Sequence, residues 1–249
     1  GNVVGDASRY DNEIYPVEWP ISFRGIQGGP ISALLVNDGL VRNQPGRSAD
    51  PAAGGAQEFA RLLVERGVAI VGQPTSGQMP NGTPAVASVT SAPLSQIVGE
   101  MLRNSDNTTA EMLLKEIGRA GRGAGSRASG AAVLVDRLAS WGVPMDGVSI
   151  VDGSGLGGSN KVTCAAMMAV LARNRVDSPL VAAMSVAGRS GTLTDYFKGG
   201  PLEGRLIGKT GSLTGVKALV GYVPVEGVGT IRFAVILNGD GVEIGRAHV

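Results

Sequence analysis

Three β-prone runs near the end of the chain, residues 204–212, 216–223 and 230–237, are separated only by Leu213-Thr214-Gly215 and by residues 224–229. Runs this close must pair as antiparallel neighbours, because a parallel return needs a crossover of about a dozen residues or more. Upstream the apolar spacing is helical instead. Residues 93–103 put Leu94, Ile97, Val98, Met101 and Leu102 on one face. Residues 56–67 carry Phe59, Leu62, Leu63 and Arg66 at helical spacing and close on Gly67, a residue suited to a helix C-terminus. Further helices are predicted over 131–141, from the cap Thr163 to about Asn174, and over 179–187. Helices followed by an antiparallel meander indicate an α+β layer structure rather than a βαβ repeat.

The rest of the chain is punctuation and short extended pieces. Val3-Val4 and residues 31–37, 68–72, 85–90 and 148–151 read as strands, and 42–55 and 121–130 as flexible connections rich in Gly, Pro and polar residues. Thr108-Thr109-Ala110-Glu111 matches a capping box, so a helix should start near Thr108 and run to Gly118. Residues 104–107 then form a short polar turn between two helices, beside a positive helix N-terminus.

Composition narrows the function classes. Hydrophobic residues make up 43% of the 249, enough for a sizeable core, and Lys+Arg 22 against Asp+Glu 21 gives a net charge of +1. No basic run exists and aromatics are 4%, which leaves few platforms for stacking bases, so nucleic acid is not an expected partner. The single cysteine, Cys164, lies in an apolar run and is expected to be a buried small hydrophobe; the only histidine, His248, is at the chain's end. No His/Asp/Glu cluster suggests a metal site, and no cofactor is expected. No run of about 18 apolar residues suggests a membrane span.

Two short stretches carry chemistry. Gly208-Lys209-Thr210-Gly211-Ser212 sets a cation and two hydroxyls between glycines in a strand context, a place where backbone can approach an anionic ligand. It is not a P-loop: three residues, not four, separate Gly204 from Gly208-Lys209-Thr210, and a strand follows where a P-loop has a helix. Ser105-Asp106-Asn107 occupies the interhelical turn. Alone, the first reads equally as a surface strand and the second as a polar turn.

Together, Ser-Asp-Asn and a later Lys-Thr-Gly on a strand are two of the three elements of the penicillin-recognising serine hydrolases. Asp152-Gly153-Ser154-Gly155-Leu156, Ala187-Gly188-Arg189-Ser190-Gly191-Thr192-Leu193 and Lys209 to Val216 resemble the D-alanyl-D-alanine carboxypeptidase/endopeptidase family of the penicillin-binding-protein-4 type, peptidase family S13. Gly1-Asn2-Val3-Val4-Gly5-Asp6-Ala7-Ser8 and Trp19-Pro20 resemble that family's segment between its first and second motifs. The resemblance implies the penicillin-recognising fold, with 1–90 belonging to or leading from an inserted domain and 91–249 forming the main part of the catalytic domain. It also implies an extracytoplasmic enzyme acting on peptidoglycan peptides and inhibited by β-lactams.

By the same resemblance, Ser105 relays a proton, Asn107 donates its amide to the substrate, and Lys209 provides a positive charge at an exposed strand edge. Thr210 and Ser212 hold the substrate carboxylate, the Ser212 N–H joins the oxyanion hole, and Gly211 leaves room for the acyl chain. The family's nucleophile is the serine of Ser-x-x-Lys. Three residues before the five lysines stand Met112, Gly158, Asp195, Leu206 and Thr214, so the motif is not in this sequence. The expectation is a C-terminal portion, inactive alone, whose partner is the N-terminal segment of the same protein and whose fold is incomplete without it. A β-lactamase or esterase on the same fold and a noncatalytic peptidoglycan-binding relative are the alternatives.

Overall fold

A computed structural model describes residues 1–242. In chain order its elements are β1 (Val4–Gly5), α1 (Pro51–Glu65), β2 (Thr75–Ser76), α2 (Leu94–Asn104), α3 (Asn107–Arg122), α4 (Arg127–Ser140), α5 (Cys164–Ala172), α6 (Pro179–Ala182), β3 (Ser185–Val186), β4 (Ile207–Leu213), β5 (Val216–Val225) and β6 (Gly229–Asn238). They fall into two compact units. One comprises residues 1–90, 107–134 and 150–159, the other 91–106, 135–149 and the chain from Asn160 onward.

In the first unit β1 and β2 pair in parallel, and α1 starts at Asp50, whose carboxylate accepts the Ala53 N–H ahead of Pro51. That aspartate–proline start is a strong helix signal, and it carries the helix five residues upstream of the expected boundary into the supposed linker. The unit's interior is partly ionic. Lys115 on α3 is 1% exposed and donates to the Asp11 carboxylate at 2.6 Å and the Glu13 carbonyl at 2.7 Å. Arg127 on α4 pairs with Glu13 at 2.8 Å and Glu18 at 3.1 Å. Glu111 does not close a capping box: its buried carboxylate accepts the N–H groups of Gly153 and Ser154, and burial pushes its pKa up. Thr108 instead accepts the Gly29 N–H at 2.7 Å, so a tertiary hydrogen bond replaces the local one.

The second unit is built on the meander, with sheet order β3-β4-β5-β6 and antiparallel pairing throughout. Alternation sends successive side chains to opposite faces. On one face Val220, Tyr222 and Ile207 pack with Leu171, Val181 and Leu102 from the helices and with Met184 just after α6, and the Tyr222 hydroxyl donates to the Leu171 carbonyl. On the other, Leu206, Leu219, Val223 and Phe233 pack with Ala187 and Leu193. Gly208 faces Gly221 across the β4–β5 ladder, and a Cβ at Gly221 would collide with the Ile207 carbonyl oxygen. The backbones can approach this closely only because both residues lack a side chain.

Several expected elements differ. Residues 31–37, 68–72 and 85–90 are not strands, and 148–151 contributes only an isolated bridge between Ser149 and Lys161. Val86 and Val89 lie fully exposed, without the partner that β-propensity requires before it becomes a strand. The loop expected over 121–130 is mostly helix, since α3 runs to Arg122 and α4 begins at Arg127. The helix expected over 179–187 stops at Ala182, and Ser185 joins β4 as a strand partner. Cys164 is exposed, because it occupies the first turn of α5, where the apolar run wraps all round the helix. His248 lies outside the described residues.

Candidate active site

Ser105 closes α2 in the left-handed conformation, with φ 55° and ψ 48°. A non-glycine residue there costs roughly 1–2 kcal/mol and calls for a local reason. The turn satisfies the helix end, since both the Ser105 and Asp106 N–H groups return to the Met101 carbonyl. It also aims the serine hydroxyl at β4. Lys209, second residue after Ile207 on the helix-facing side of that strand, donates from Nζ to Ser105 Oγ at 2.6 Å and to the Thr210 carbonyl at 2.8 Å. Lys209 is therefore not an exposed edge residue. It is half-buried, and burial pushes its pKa below the ordinary lysine value.

Thr210 points to the opposite face, where its hydroxyl donates to Thr192 Oγ1 at 2.8 Å. β3 pairs only with Ile207 and Gly208, so among the described residues β4 has an open edge from Lys209 onward. Gly211 and Ser212 lie exposed on that stretch. A Cβ at Gly211 would meet only Ala218 Cβ at 3.5 Å, an ordinary contact, so nothing within the unit demands a glycine here. The Ser212 hydroxyl, on the same face as Thr210, accepts a hydrogen bond from Lys217 on β5.

Asn107 belongs to the first unit, as the opening residue of α3, and its side-chain amide donates to the Gln27 carbonyl at 2.8 Å. The structure therefore joins Ser105, Lys209 and Thr210 through direct contacts, and anchors Asn107 to the 27–29 turn. Among the described residues no group of His, Cys, Asp and Glu could hold a metal ion.

Residues 31–248 match the D-Ala-D-Ala carboxypeptidase 3 (S13) family. The chain belongs to the S13 peptidase family. Over 202 residues it is 35% identical to the D-alanyl-D-alanine carboxypeptidase of Actinomadura sp. (strain R39), covering 76% of this chain and 37% of that protein. Carboxypeptidase DacB of Mycolicibacterium smegmatis is 32% identical over 252 residues, covering 95% of this chain and 54% of its own length. The chain thus spans between about a third and about half of these curated relatives. Penicillin binding protein 4 from Haemophilus influenzae superposes with a TM-score of 0.81 at 19% identity, over 96% of this chain and 70% of that one. The fold is that of the penicillin-recognising serine hydrolases.

In this S13 chain two residues that touch motif side chains, and a third that stands behind them, are not marked as site residues by the sequence. Ser185 and Thr192 support Thr210 from beneath, and Lys217 meets Ser212 from the adjacent strand. Thr192 stood inside a recognisable segment, but only the fold shows that its hydroxyl reaches β4. Ser185 was hidden by the helix expected across it.

Proposed function

We propose that the chain carries the proton-relay and carboxylate-binding side of a serine DD-peptidase, a carboxypeptidase or endopeptidase that cleaves D-Ala-D-Ala termini or D-amino cross-links of peptidoglycan through an acyl-enzyme. The observation that carries this reading is the 2.6 Å bond from Lys209 Nζ to Ser105 Oγ, formed by two motif residues that are 104 positions apart in sequence. A lysine donating to a serine hydroxyl leaves that hydroxyl's own proton for another acceptor. In the reaction the Ser105 proton passes to the leaving nitrogen as the C–N bond breaks. It is replaced by the proton that the general base removed from the nucleophile, so the relay ends as it began.

Lys209 stabilises negative charge nearby, in surroundings that hold it partly away from water, where its field is screened less. Thr210 and Ser212 accommodate the substrate's terminal carboxylate. The Ser212 N–H, on the open edge of β4, is an oxyanion donor, and the bare surface at Gly211 lets the acyl chain lie along the strand. Asn107 orients the substrate's peptide group with its side-chain amide. The attacking serine and its lysine come from the family's Ser-x-x-Lys motif elsewhere in the full-length protein, since no such spacing occurs in these 249 residues. β-Lactams, which present a carboxylate and a strained amide in the same geometry, acylate the same serine. The substrate is extracytoplasmic, so the enzyme works in the cell envelope.

The test is direct. Full-length protein should release D-alanine from a D-Ala-D-Ala peptide and be labelled covalently by penicillin, whereas the 249-residue chain alone should not be labelled. A full-length protein that does neither would sink the enzyme reading, and stoichiometric labelling of the chain alone would refute the claim that its nucleophile lies elsewhere.

A further inference from the structure

Beneath the Lys-Thr-Gly strand runs a chain of hydroxyls. Ser185 is 0% exposed, and its Oγ lies 3.2 Å from the Arg103 carbonyl, 3.1 Å from the Thr192 N–H and 3.2 Å from Thr192 Oγ1. Thr192 Oγ1 in turn lies 2.8 Å from Thr210 Oγ1. The proton positions follow from what each group can do. The Arg103 carbonyl only accepts and the Thr192 N–H only donates. With the Ser185 proton given to the Arg103 carbonyl, Ser185 Oγ accepts from Thr192. The Thr192 proton then has a choice: it can go to Ser185 or to Thr210.

That choice matters to an anion. While the Thr210 proton points inward to Thr192, its outward lone pairs have the wrong polarity for a carboxylate. When the Thr192 proton turns to Thr210 Oγ1, the Thr210 proton is released outward. Ser185 still keeps its bonds to the Thr192 N–H and to Arg103, so no buried polar atom is orphaned by the change. We propose that Thr192 is a positioning residue that reverses its hydroxyl to switch Thr210 from acceptor to donor when a carboxylate binds, with Ser185 as the fixed end of the chain. This rests on the assignment of Thr210 as a carboxylate ligand. Ser185 also bonds the last turn of α2, two residues before Ser105, so the carboxylate contact and the proton relay share one anchor.

The test uses full-length protein with two substrates, a D-Ala-D-Ala peptide and its C-terminal amide, which lacks the carboxylate. Thr192→Val leaves the Thr210 hydroxyl with no neighbour to hold it in place and polarise it as it donates to the carboxylate, and should raise KM for the acid by roughly 3- to 12-fold, the equivalent of one neutral hydrogen bond, with kcat and the amide nearly unaffected. Thr192→Ser should restore the acid. In a Thr210→Val background Thr192→Val should cost nothing more, because its effect is exerted through Thr210. Equal losses on acid and amide, no recovery with serine, or a loss additive to that of Thr210→Val would each overturn the proposal. If wild-type protein neither releases D-alanine nor binds penicillin, the site assignment itself falls, and the proposal with it. If wild type is active and Thr192→Val matches it on the acid, the proposal alone falls.

Discussion

Lys209→Met in the full-length protein separates what the lysine does for the fold from what it does for the reaction. Its ammonium is half-buried and has hydroxyl and carbonyl partners in Ser105 and Thr210. Removing a cation from water costs several kcal/mol even after relaxation, and two hydrogen bonds from a charged donor return about 1.5–3 kcal/mol each, so the terms nearly cancel. Methionine keeps the stem and the packing and removes the desolvation cost. Stability should therefore change by between about zero and +2 kcal/mol, each kcal/mol worth about 2–4 °C in Tm for units of this size. The pH dependence has a sign. Burial holds the folded-state pKa below the unfolded one, so between the two the unfolded chain binds more protons. Wild-type stability should thus rise as pH climbs toward the ordinary lysine value, and the methionine variant should lack that rise. Penicillin acylation, by contrast, should fall roughly 10²- to 10³-fold, the usual effect of deleting one electrostatic stabiliser. Urea titrations at several pH values and a labelling time course read both quantities. A loss of more than about 2 kcal/mol would refute the near-cancellation and make the lysine a structural support. Acylation within a few-fold of wild type would remove it from the chemistry.

Other substitutions probe the surroundings. Lys115→Met strands the Asp11 carboxylate and the Glu13 carbonyl, and because Asp11 is partly solvated the cost should sit near the low end of the 3–5 kcal/mol known for broken buried pairs, measured by urea unfolding. Gly191→Ala places a Cβ against Ser185 Oγ and 2.5 Å from the Arg103 carbonyl, at φ +60°. Strain and collision together should cost about 2–4 kcal/mol and should slow acylation too, which a thermal melt and a labelling assay would show. Gly211→Ala meets no obstacle within its own unit, so Tm should hold while acylation drops at least about tenfold; unchanged acylation would mean that no ligand lies along this edge.

The parts legible in the sequence are those decided by near neighbours. The meander, α2 and the Thr163 cap of α5 follow from spacing and from cap chemistry within a few residues, and all three stand in the structure. Residues 85–90 have the composition of a strand, but a strand is decided by its partner, which composition does not encode. Thr108 and Glu111 match a capping box, yet each found a distant amide instead, at Gly29 and Gly153. The site divides in the same way. The residue types and order pointed to Ser105 and Lys209, but the left-handed turn that brings them together was not readable from Asn104-Ser105-Asp106. Nor was the chain of hydroxyls beneath Thr210, whose members come from three separate elements.

The facing glycines of β4 and β5 have a consequence for how this site tolerates change. Because Lys209 and Thr210 are neighbours on a pleated strand, their division of labour is a matter of odd and even positions. A slip of one residue would exchange them, turning the hydroxyl toward Ser105 and the ammonium toward Thr192. Gly208 opposite Gly221 acts as the notch that resists the slip, since the strands approach so closely here that a Cβ at Gly221 would lie 2.1 Å from the Ile207 carbonyl oxygen and one at Gly208 2.8 Å from that of Val220. Lengthening the Thr214-Gly215 turn by one residue would strain against that notch rather than shift the strand. The turn is therefore fixed in length, and Gly215 at φ +74° constrains its composition too, while the parity of the site is inherited from two residues with no side chain at all.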